Sequence, residues 1–280
     1  MWDRRFRLSM FQNLRVLAHG TCGDSRVFVG DQEAQLSQRV PVRLVFNMQL
    51  IVGRSCVMTH LPFEDRCEAG RLLAAELARR DMGQNAIVLA LTRGGVPVGF
   101  AVADRLHLPL DVIVARKVGV PWQPELAMGA MAGATQILDE DMIRELGISR
   151  EDVAEIVARE QAEMQRRELL YRGGKPALDL AGRSAIVVDD GLATGSTMVA
   201  AVRHARSLHP ARVIVAAPVG SRQACAHLRK EADDVVCLAI PERFCAVGEW
   251  YRDFRQVDDS EVGNLLAESR RQLNRHAACT

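Results

Sequence analysis

The sequence predicts an α/β fold: a mostly parallel central sheet flanked on both faces by helices. Three observations predict it. From residue 58 onward, short apolar runs alternate with segments of helical periodicity, the pattern of strands joined by crossover helices. One run, residues 185–188, passes at once into Asp189-Asp190, a small hydroxyl-rich turn and a helical pattern. Another, residues 86–91, passes into Thr92-Arg93-Gly94-Gly95 and again into a helix.

The elements follow in order. Residues 65–80 carry Ala69, Leu72, Leu73 and Leu77 at helical spacing. Residues 86–91 read as a buried strand, 96–106 as a helix and 111–115 as a second strand. Residues 118–129 hold Gly119, Pro121, Pro124 and Gly129; so many breakers predict an irregular, lid-like loop. A strand follows at 135–138. Residues 151–171 form a long charged helix whose acids and arginines make a solvated face with internal pairs. Strands at 185–188, 213–219 and 235–240 are separated by helices at 197–207 and 221–230, and a helix at 261–274 ends the pattern.

Residues 1–57 differ from the rest. They hold eight arginines, no lysine and four acids. Acids and isolated glycines interrupt any transit-peptide pattern, and a signal-peptide core is lacking. They are expected to be an N-terminal extension, poorly ordered or the product of a misassigned start, with the functional domain spanning 58–280. A genuine small accessory segment is the alternative.

Composition excludes several classes. The net charge of +1 offers no attraction to nucleic acid or to a membrane surface, and no apolar run reaches the length of a transmembrane helix. Seven scattered cysteines without paired spacing fit a reduced, cytoplasmic protein. The seven histidines show no metal-ligand spacing. Hydrolase signatures are absent. Lys117, Lys175 and Lys230 are the only lysines among 36 basic residues, which draws the eye to Lys117, just after a strand.

Residues 187–198 carry the chemistry. A helix N-terminus offers unpaired amides and the positive end of the dipole to a phosphate. Gly191 and Gly195 permit close backbone approach, and Thr194, Ser196 and Thr197 add hydroxyls. Two carboxylates before such a loop suit a ligand with a phosphate, vicinal hydroxyls and a divalent cation. A plain strand-to-helix turn with a capping Asp is the alternative. Walker and dinucleotide patterns do not fit. Thr92-Arg93-Gly94-Gly95 would cradle a second anion, or be an ordinary glycine-rich turn. Ligands of such sheets lie beyond the carboxyl ends of the strands.

Residues 187–198 resemble the 5-phosphoribosyl-1-pyrophosphate (PRPP) signature of type I phosphoribosyltransferases, closest to its adenine-type version. Across residues 58–267 the order of pieces resembles a bacterial group of that family with unsettled acceptor: Phe63-x-Asp65-Arg66, Thr92 to Gly95, Glu125-x-Ala127-x-Gly129-Ala130, Tyr171 to Gly174, Val188 to Gly195, and Trp250-Tyr251-x-Asp253-Phe254. Only the PRPP signature is specific to a chemistry.

The resemblance implies a type I phosphoribosyltransferase fold with a small hood from about 117–175, and a reaction in which a nitrogen nucleophile displaces pyrophosphate from PRPP. It implies that Ala193, Thr194, Gly195, Ser196 and Thr197 hold the 5-phosphate, and that Thr92, Arg93, Gly94 and Gly95 hold the pyrophosphate. Asp189 and Asp190 would take the ribose hydroxyls, serve catalysis and hold Mg2+ through water. Lys117 would meet the pyrophosphate or leaving oxygen, and Glu125 the acceptor. Trp250 to Phe254 would be packing or a dimer contact, with a base pocket as the alternative. The partners implied are PRPP and an unknown small-molecule acceptor, with a homodimer as the family-like state. One departure counts against a 6-oxopurine acceptor: the hypoxanthine-guanine enzymes carry an acid where this chain has Ala193. A PRPP-sensing regulator without turnover is the alternative function.

Overall fold

The computed structural model describes residues 61–83 and 85–279, with side chains as far as His276. The expectations for residues 1–57 lie outside the described residues.

The first half of the chain lays down α1 (Arg66–Leu77), β1 (Ile87–Leu91), α2 (Gly95–Leu106) and β2 (Leu110–Ile113). A small antiparallel sheet follows: β3 (Ala115–Val120), β4 (Gln123–Ala132) and β5 (Thr135–Leu138). Two helices, α3 (Glu140–Glu145) and α4 (Arg150–Arg172), lead to β6 (Ser184–Val188), α5 (Ser196–Ser207), β7 (Arg212–Val219), α6 (Arg222–Leu228) and β8 (Asp234–Ala239). A 3-10 turn (Val247–Trp250) and α7 (Asp259–Cys279) complete the order.

The main sheet is parallel throughout, in the order β2-β1-β6-β7-β8. Every residue of β1, β2 and β6 is buried, as expected of strands covered on both faces. Leu89, Val187, Val215 and Ala217 meet Met198, Val199, Val202 and Ala205 of α5 in one core. On the other face α1 and α2 pack together, and Gly99 of α2 lies directly on Val88 and Ala90. Burial of each such Leu, Val or Ile contributes about 1.5–3 kcal/mol.

The small sheet docks on the outer side of α5, with Ala130, Ala132 and Ile137 joining the same core. Buried Asp111 ties α4 to β2. It accepts from Arg172 Nε at 3.1 Å and from the Leu178 amide at 2.9 Å. Arg116 Nε donates to Glu160 at 2.8 Å. The charged helix α4 is therefore only partly a solvated face: Glu163 pairs within the helix with Arg166 and Arg167, whereas Glu160, Tyr171 and Arg172 bond to other elements.

Two expectations need correction. The strand expected at 111–115 is two strands in two sheets, split at Val114. The loop expected at 118–129 is a hairpin, because its breakers fall where a ladder tolerates them. Pro121 sits in the turn. Pro124 lies in a stretch where the β3–β4 register shifts around Gly119, so its missing N–H costs no ladder bond. Lys117 consequently stands within β3 opposite Ala130. The short helix α3 has no counterpart in the sequence reading, although Asp139 caps it and Glu140 and Asp141 fill its first turn.

Candidate active site

Strand order reverses between β1 and β6, since the chain leaves β1 for β2 on one side and β6 for β7 on the other. A crevice therefore opens outside the carboxyl ends of these two strands, the place where such sheets bind ligands. Thr92 to Gly95 follow β1 there, and Asp189 to Gly195 follow β6.

Asp190 is 9% exposed and Asp189 is half-buried. The Asp190 amide donates to Asp189 Oδ1 at 2.9 Å. Arg66 Nε donates to Asp190 Oδ2 at 2.8 Å. The Tyr251 hydroxyl donates to the Asp190 carbonyl at 2.6 Å. Burial and the neighbouring Asp190 charge push the Asp189 carboxyl well above the usual carboxylate range. Burial also raises Asp190, and the Arg66 guanidinium opposes the rise.

The loop from Gly191 to Gly195 is pinned on its far side. Leu192 bridges to Gly220, its amide donating to Val219 O at 2.9 Å and its carbonyl accepting from Ser221 N at 2.8 Å. The Ser221 hydroxyl donates to the Ala193 carbonyl at 2.7 Å. Gly195 turns the chain into α5 at φ +80, a left-handed conformation that favours glycine. The helix starts without a side-chain cap and with no acid in its first turn, so its first amides face outward for an anion. Ala193 and Thr194 are exposed, and Ser196 and Thr197 half-exposed. The Thr194 and Ser196 hydroxyls lie 3.2 Å apart.

The second loop abuts the acids. A β-carbon on Gly94 would overlap Asp190 Oδ2, and one on Gly95 would lie 2.7 Å from the Val188 carbonyl. These glycines are needed for close approach between the loops. Thr92 and Arg93 are joined by a cis peptide bond. Arg93 Nη1 lies 3.6 Å from Asp259 Oδ1, and Asp259 also accepts from the Tyr171 hydroxyl at 2.7 Å. Burial and that bond push the Tyr171 hydroxyl up to about 12.

The structure thus brings Thr92, Arg93, Gly94 and Gly95 together with Asp189, Asp190 and the start of α5. Lys117 and Glu125 stand exposed on the small sheet, and neither is bonded to the acidic pair. Sequence reasoning missed Arg66, which reaches Asp190 from α1. The signal was present in Phe63-x-Asp65-Arg66 and Trp250-Tyr251-x-Asp253-Phe254, two separate motifs that meet around Asp190.

The phosphoribosyl transferase domain family model matches residues 64–253. Two Mycobacterium tuberculosis proteins provisionally named as phosphoribosyl transferases, Rv0571c of strain H37Rv and MT0597 of strain CDC 1551, are each 44% identical over 212 residues, covering 75% of this chain and 48% of their own. The chain spans about half the length of these curated relatives. The crystal structure of TT1426 from Thermus thermophilus superposes with a TM-score of 0.63 at 40% identity, over 74% of this chain and 98% of that one. Among the described residues no helix is long and apolar enough to cross a membrane. With its acidic pair set between two anion-ready loops, the chain belongs to the phosphoribosyl transferase domain family.

Proposed function

We propose that the chain binds PRPP and transfers its 5-phosphoribosyl group to a nitrogen nucleophile. The C1–O bond to pyrophosphate breaks, an N–C1 bond forms, and the nucleophile loses a proton. The observation that carries this reading is the Asp189-Asp190 pair wedged between the Thr92–Gly95 turn and the uncapped start of α5.

The roles follow from charge. The amides at the start of α5, with Thr194, Ser196 and Thr197, hold the 5-phosphate. Asp189 and Asp190 accept from the ribose hydroxyls and face the positive charge that develops on the ribose as the leaving group departs. Arg93 and the amides beside Gly94 take the departing pyrophosphate, provided Arg93 exchanges Asp259 for it. Mg2+ keeps its waters and binds through one or two carboxylates plus substrate phosphates. Asp189 and Asp190 would hold it through water, and its charge would neutralise the pyrophosphate. Lys117 and Glu125 reach the ligand only if the small sheet's hairpin closes over the crevice, which would also exclude water.

Ala193 favours a second reading, a PRPP sensor without turnover, since the loop lacks the acid that handles a purine ring proton in the hypoxanthine-guanine enzymes. Pyrophosphate release from PRPP and Mg2+ across a panel of purines, pyrimidines and amines decides between them. Acceptor-dependent release that Asp190→Asn abolishes supports the enzyme. PRPP binding without release supports the sensor. Absence of both removes either reading.

A further inference from the structure

Two segments far apart in the chain close on Asp190. From α1, Arg66 donates through Nε to Asp190 Oδ2 at 2.8 Å and through Nη1 to the Arg255 carbonyl at 2.8 Å. Its guanidinium lies over the Phe254 ring, 3.9 Å from the centroid. Phe254 in turn stacks on Tyr251 at 5.1 Å, whose hydroxyl donates to the Asp190 carbonyl. The ion pair is nearly dry: the Arg66 side chain is 10% exposed and that of Asp190 12%. Three of the guanidinium's surfaces are thus occupied, by a carboxylate, a carbonyl and a ring. A planar fork achieves this and an ammonium does not. Gly94 comes close to the same oxygen, where a β-carbon would overlap Oδ2.

We propose that Arg66 is a positioning residue for Asp190: clamped between Phe254 and the Arg255 carbonyl, it holds Oδ2 and thereby presents Oδ1 to the ligand. The inference rests on the PRPP-binding reading and deepens it. It divides the acidic pair. Asp189, with no ion pair among the described residues, follows the ligand and its hydrated cation. Asp190 is a fixed acceptor whose orientation is set from outside the crevice. The clamp also gives a function to Tyr251 and Phe254, within the Trp250 to Phe254 stretch expected from sequence to be packing or a dimer contact, and to the Arg255 carbonyl.

The test uses the full chain with Arg66→Gln, Arg66→Lys and Phe254→Leu. Crystal structures report the Asp190 side chain directly. Calorimetry reports the dissociation constant of PRPP with Mg2+, measured well below each variant's unfolding midpoint so that lost stability does not enter. Expected for Arg66→Gln are an Asp190 carboxylate turned from its wild-type position and PRPP affinity at least about tenfold weaker. Arg66→Lys, which keeps the charge, should recover part of that loss, and Phe254→Leu should fall between it and wild type. A folded Arg66→Gln variant with Asp190 unmoved, or with PRPP affinity within about twofold of wild type, overturns the proposal. Wild type that binds no PRPP overturns the underlying reading instead, and the crystal structures still report whether Arg66 orients Asp190.

Discussion

Asp189 and Asp190 are adjacent in sequence and unequal in structure. Asp190 is paired inside the protein with Arg66; among the described residues Asp189 has no ion pair. Removing one member of a buried pair strands the other and costs about 3–5 kcal/mol. Asp190→Ala should therefore lower unfolding free energy by about 3 kcal/mol, and Asp189→Ala by much less, as read by urea titration of both variants. Equal losses would count against the asymmetry. Asp190→Asn keeps the shape and should cost at least about 10²-fold in pyrophosphate release. At Gly195 the left-handed φ makes any side chain costly: Gly195→Ala should lose roughly 1–2 kcal/mol in the same titration, and a neutral result would mean the loop relaxes. The placing of the acids and the loop after them between a strand and a helix was legible because they are contiguous. Arg66 was not, because it pairs with Asp190 across 124 residues and its motif, Phe63-x-Asp65-Arg66, does not say that the arginine turns inward.

Helix α5 serves two elements at once. Its N-terminus follows the Gly191–Gly195 loop, and its other end carries His204 beneath the small sheet, ring against the backbone of Gly133. Among the described residues His204 Nδ1 finds no hydrogen-bond partner, although it is buried. Burial, reinforced by Arg172, holds its imidazole below the ordinary value. The neutral ring therefore contributes stability above pH ~6.5, and that contribution is lost as pH falls through the lower folded-state value. His204→Gln, neutral at every pH, should lose less stability than wild type between pH ~7.5 and ~5.5. Identical pH slopes in denaturant titrations would remove His204 from the account. At this scale the strands and helices of the main sheet were legible from apolar runs and periodicity, because each buries a continuous face. The β3–β4 hairpin was not: glycine and proline forbid regular pairing only where the ladder needs an N–H or a side chain, and register is invisible before the strands pair.

The whole domain should respond to its ligand. A ligand that binds only the folded state at about 100 times its dissociation constant adds roughly 2.7 kcal/mol, or roughly 5–10 °C in midpoint for a chain of this size. PRPP with Mg2+ should raise the thermal midpoint of wild type by that amount, and of Asp190→Asn by little. No shift in wild type would remove the PRPP reading. That the acids lie at a carboxyl end of the sheet followed from alternation; the reversal of strand order between β1 and β6 did not. The acceptor stayed hidden because the small sheet's motif, Glu125-x-Ala127-x-Gly129-Ala130, is specific to no chemistry, and the place of Lys117 within β3 depends on a strand pairing invisible in sequence. The clasp on Asp190 also has a consequence for biosynthesis. Tyr251 lies 61 residues beyond the residue whose carbonyl it holds, so a ribosome has finished both anion loops well before the clasp exists. A growing chain that has passed Gly195 but not Arg255 holds both loops around an unsecured acid, and Asp190 gains its clasp only once residues 251–255 have followed.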